Sequence, residues 1–62
     1  MIAELIDNLT HMLEKNPHYR GRNRRRDFVI FFFTDNHENI INVKITYDEI
    51  RNEMFNNLKE YL

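Results

Sequence analysis

The 62-residue chain contains no cysteine, serine or tryptophan, and only one glycine, one proline and one alanine. Without cysteine it can build neither a disulfide framework nor a thiolate zinc site, and a reducing compartment is open to it. The missing serine and cysteine remove the two commonest side-chain nucleophiles, and one glycine cannot form a phosphate-cradling loop. Three histidines, His11, His18 and His37, are too scattered to suggest a metal site. The longest apolar run, Phe28 to Phe33, is six residues, far short of the roughly 18 that a membrane span requires. Glu4 and Asp7 stand where a secretory signal would carry positive charge. These absences lead us to expect a cytoplasmic protein with no catalytic residues, cofactor, metal or membrane contact.

Size sets a further limit. A chain of this length buries only about 60% of its unfolded surface and is marginal alone. With disulfides and metal excluded, association with another subunit is the remaining source of support. Asparagine occurs nine times and isoleucine seven, the signature of an A/T-rich coding sequence such as low-GC bacteria and their phages carry.

The charge is unevenly spread. Nine basic residues oppose ten acidic ones, for a net charge of -1. Five of the nine are Arg20, Arg22, Arg24, Arg25 and Arg26, so the remainder of the chain is strongly acidic.

Periodicity gives the elements. Ile2, Leu5, Ile6, Leu9, Met12 and Leu13 form one helical stripe, which predicts a helix over 2–15, stopped by Asn16-Pro17. Residues 17–26 read as a polar loop. Phe28 to Thr34 and Ile40 to Ile45 read as strands joined by the turn TDNHEN, making a β-hairpin. Thr46 and Glu49 have capping-box spacing, and Tyr47, Ile50, Met54, Leu58 and Tyr61 continue as a second helix widened by Phe55 and Leu62. The expected fold is α+β, a single domain over 1–62, in the order α-β-β-α with two helices packed on a hairpin and completed by dimerisation. This order resembles a double-stranded-RNA-binding domain lacking one strand. TYDEIRNE, at the start of the last helix, is acidic where such domains are basic, so no function is carried over.

Register determines which apolar row faces the helices. A two- or four-residue turn pairs Phe32 with Ile41, Ile30 with Val43 and Phe28 with Ile45, and those residues form the core. Val29, Phe31, Phe33 and Ile40 then face outward beside Asn42 and Lys44 and become the expected self-association surface. An odd loop swaps the two rows, because a one-residue slip flips every side chain. A helix on each face would hide both rows, but it would also cover Asn42 and Lys44. Two helices on one side leave an apolar row uncovered, and a symmetry mate is the simplest cover.

The arginine segment supplies the second expected surface. Guanidinium forks bind carboxylates and phosphates in pairs, and Tyr19 beside Arg20, Arg22, Arg24, Arg25 and Arg26 offers a ring for stacking. The contrasting reading is that these arginines are solvated or neutralised by the chain's own acids, at about 0–1 kcal/mol per exposed pair. The cluster can also act as a gatekeeper against aggregation of the neighbouring strand. A homodimer that binds another protein ranks ahead of a nucleic-acid-binding regulator, since general nucleic-acid binders carry a basic excess. Asp35, His37 and Glu38 in the turn could hold a cation or move a proton, but turn tips are commonly just polar. The sequence thus points to a non-enzymatic interaction protein of regulatory type.

Overall fold

A computed structural model describes all 62 residues. The elements are α1 (Ile2–Leu13), β1 (Tyr19–Arg24), β2 (Phe28–Thr34), β3 (Ile40–Thr46), α2 (Tyr47–Arg51) and a 3₁₀ segment (Asn56–Tyr61). The strands form one antiparallel sheet in the order β1-β2-β3. The mixed α+β class is as expected, but the chain has three strands where the sequence suggested two. No helix is long and apolar enough to cross a membrane.

The additional strand is the segment read as an arginine loop. β2 is apolar on both faces and lies at the centre of the sheet, so its backbone groups need partners along both edges. β3 satisfies one edge and β1 the other. The composition of β1 gave no sign of this, since arginine and asparagine are poor strand formers. An irregularity between Tyr19 and Gly21 interrupts the ladder, and Gly21 takes φ +150°, which side chains rarely adopt. A bulge and a row of charges are two devices that keep an edge strand from pairing with other chains.

The β2–β3 loop sets the register. The Asp35 amide donates to the Asn39 carbonyl at 3.0 Å, and the Glu38 amide donates to the Asp35 carbonyl at 3.1 Å. Three residues, Asn36 to Glu38, therefore form the tip, with Glu38 left-handed at φ 64°. A turn followed by a left-handed residue is the usual three-residue hairpin. Being odd, it opposes Val29 to Ile45, Phe31 to Val43 and Phe33 to Ile41. The assignment of Val29, Phe31 and Phe33 to a self-association surface is therefore corrected. All three are 0% exposed within a single protomer, enclosed by Ile6, Leu9 and Leu13 of α1, Ile50 of α2 and Leu58 of the 3₁₀ segment. Ile40 does face outward, at 61% exposure.

The C-terminal helix is shorter than its stripe suggested. The capping box forms, with Thr46 Oγ1 accepting from the Glu49 amide at 3.1 Å and Glu49 Oε1 accepting from the Thr46 amide at 2.9 Å. The helix stops after one turn. The Glu53 amide donates to the Ile50 carbonyl at 3.1 Å and the Met54 amide to the Glu49 carbonyl at 2.8 Å, with Glu53 left-handed at φ 54°. That is the Schellman pattern, built without its customary glycine. The break turns the chain so that Tyr61 stacks on Phe33 at 3.9 Å between ring centroids. The Asn16 side chain then donates from Nδ2 to the Tyr61 carbonyl at 3.2 Å, tying the C-terminus to the end of α1.

Candidate functional site

β1 disperses its arginines by parity. Arg22 and Arg24 pair with Phe31 and Val29, which puts them on the helix side. Arg22 donates to Thr10 Oγ1 at 2.7 Å and forms an ion pair with Asp7 at 3.0 Å, fastening β1 to α1. Arg24 donates from Nε to the Tyr47 hydroxyl at 3.2 Å, its guanidinium 5.8 Å from that ring's centroid. Tyr47 in turn donates its hydroxyl proton to the Arg25 carbonyl and its amide to the Asp27 carbonyl, holding the β1–β2 turn against α2. Arg20 folds back onto the Pro17 and Tyr19 carbonyls at 2.9 and 3.0 Å. Tyr19 is not a free ring. It packs half-buried against Phe31 and Phe33, at 6.3 and 5.8 Å between centroids, and burial raises its pKa. Of the arginines assigned to the basic site, only Arg25 and Arg26 have side chains that make no hydrogen bond or ion pair within the chain.

The sheet face turned away from the helices contains residues the sequence reading had placed in the core. The Arg25 amide donates to the Phe28 carbonyl at 2.8 Å, so the ladder extends and Arg25 shares the face of Phe28. Arg25, Phe28 and Thr46 thus form one row, Asn23, Ile30 and Lys44 the next, and Gly21, Phe32 and Asn42 a third. The central column is apolar and half-buried by its own neighbours, with no helix above it. Lys44 lies 4.4 Å from the Phe28 ring centroid. It is also near enough to Glu49, at the rim, to help lower that carboxyl's pKa, although the Thr46 hydrogen bonds have the larger effect. Phe32 has open space on one side: a Cβ built at Gly21 would meet nothing within 4 Å.

None of the outward-facing strand residues is an acid, although the chain has ten. The carboxylates lie on the helices and at the loop tips. On the helix side a shallow groove of about 250 Å³ runs between Leu5, Leu9, Met12, Ile50 and Phe55, with Glu53 as its one charge.

The turn residues considered for proton or cation chemistry have a structural role instead. Asp35 Oδ1 accepts from the His37 and Asn39 amides, both at 2.8 Å, and Oδ2 accepts from the Asn39 side chain at 3.1 Å. These bonds, chiefly those from Asn39, hold its pKa below the ordinary carboxylate range. No group of three or more potential metal ligands comes together. The signal that could have located the outward row was turn parity, since Asn42 and Lys44 had already fixed the outer face of β3. Comparison with protein-family models, with curated proteins and with solved structures finds no match.

Proposed function

We propose that the chain is a small, non-enzymatic interaction protein of the cell interior that docks a macromolecular partner on the outer face of its sheet. The observation that carries this reading is the row Phe28, Ile30 and Phe32, large apolar side chains on a face that no helix covers. Leaving such side chains wet forgoes part of the roughly 1.5–3 kcal/mol that burial of each would provide, a substantial share for a small domain. The arginine-bearing edge strand beside that row supplies the polar rim that interfaces commonly have. To test this, immobilised wild type and Phe32→Glu are challenged with the same cell lysate, with and without nuclease. Loss of the retained material in a variant with an unchanged circular-dichroism spectrum is expected, and equal retention by the two proteins refutes the reading.

Self-association is a second reading, favoured by the free edge of β3. That edge carries Lys44 as its only charge and the exposed Ile40 at its start, so it lacks the arginine guard of β1. Two β3 strands pairing about a two-fold axis would join the sheets of two protomers and leave the outer face open. Light scattering of wild type and Ile40→Lys tests it: a dimeric mass that falls to monomer in the variant is expected. A wild type that is monomeric throughout removes this reading and leaves the docking face in place.

A further inference from the structure

We infer that the occupant of the outer sheet face is a single-stranded polynucleotide, with Phe32 as the base-stacking platform and Arg25 and Lys44 as the phosphate contacts. The inference rests on the docking-face reading and assigns its partner class. Charge provides the first argument. The face bears Arg25 and Lys44 and no carboxylate, in a chain of net charge -1. A second copy laid face to face would set cations against cations, whereas a polyanion meets both with opposite charge. The arginines otherwise taken for phosphate ligands are partly committed elsewhere: Arg22 to Asp7, Arg24 to Tyr47.

The second argument is shape. The two rings of the column differ: Phe28 already has the Lys44 ammonium over its face, while Phe32 is flanked by Gly21 and Asn42. With no side chain at Gly21, a planar base can reach the Phe32 ring from that side. Every base has a π-face, so stacking on an exposed aromatic ring tolerates any sequence. The amides of Asn23 and Asn42 each offer a donor and an acceptor to base edges. A duplex cannot use this surface, because its bases are sealed in the stack. Its phosphates alone would meet two cations, with the Glu49 carboxylate beside Thr46 and Lys44 at the rim to oppose them.

The test is fluorescence anisotropy of labelled short oligo(dT) and oligo(rU), a duplex of the same length, and a polyglutamate peptide, all at low salt. Wild type is expected to bind both single strands and to lose affinity with salt at about 0.7 in log-log slope for each phosphate neutralised. Phe32→Leu keeps the apolar surface but loses the ring, and should weaken binding roughly tenfold or more, while Phe28→Leu does so less. Arg25→Gln should lower the salt slope by about 0.7. Binding of the duplex as tight as that of the single strands, or of polyglutamate unaffected by Phe32→Leu, overturns the inference, because the face then reads charge alone. Wild type that ignores every oligonucleotide also overturns it. If lysate capture still depends on Phe32 in that case, the docking face stands with a different occupant.

Discussion

The two faces of β2 carry almost the same side chains. Val29, Phe31 and Phe33 point one way and Phe28, Ile30 and Phe32 the other, one β-branched residue and two phenylalanines on each. The first three are 0% exposed, and the second three are partly exposed. Nothing in β2 itself produces the difference. It arises because α1, α2 and the 3₁₀ segment all lie on one side, and because a three-residue tip presents the Phe31 row to them. Hydrophobicity thus identified the strand, and the length of a turn decided which half became core and which became surface.

The contrast is tested most severely by matched truncations. Phe31→Ala should cost about 3–5 kcal/mol, enough to leave little folded protein, while Phe32→Ala should cost about 1 kcal/mol. Urea unfolding followed by circular dichroism measures both, and equal losses would mean that the outer face is as well packed as the inner. The same contrast applies within the arginines. Arg22→Gln breaks the Asp7 ion pair and the Thr10 hydrogen bond and should cost about 1 kcal/mol, whereas Arg25→Gln should stay within about 0.5 kcal/mol of wild type. A large loss at Arg25 would show that it serves the fold after all. A smaller gain is expected from Glu53→Gly, because glycine adopts the left-handed conformation without a Cβ penalty. The melting curve should move up by the equivalent of roughly 0.5–1 kcal/mol.

Acid sensitivity should be slight and traceable to two carboxylates. Asp35 is held below its ordinary pKa by Asn39 and His37, and Glu49 by Thr46. A pKa depressed by folding contributes stability above the unfolded value, near 4, that is lost as the pH falls through the folded value. The acid limb of the pH–stability curve should therefore flatten in Asp35→Asn and Glu49→Gln. An unchanged limb would remove both groups from the account.

Much of this architecture was legible beforehand, for identifiable reasons. The α1 stripe, the β2 and β3 runs and the Thr46–Glu49 cap each rest on local chemistry, and local chemistry survives folding. The final helix was over-extended because its apolar stripe continues through Met54 and Leu58, while the break depends on a left-handed Glu53 that no glycine or proline signals. β1 was missed because its residues favour no strand; it pairs because β2 needs a second edge. The outer row Phe28, Ile30 and Phe32 was assigned to the core because a two- or four-residue turn looked natural across DNHE, and Asp35 instead anchors a three-residue tip.

The sequence by itself determined that one apolar strand would carry a surplus of hydrophobic surface on two sides, with a concentration of positive charge beside it. Only the tertiary structure decided which side is covered and which arginines remain unpaired. Side-chain direction along a strand alternates with every residue, so the parity of a turn and of a bulge divides these side chains between core and surface, and parity is settled by long-range pairing rather than by composition.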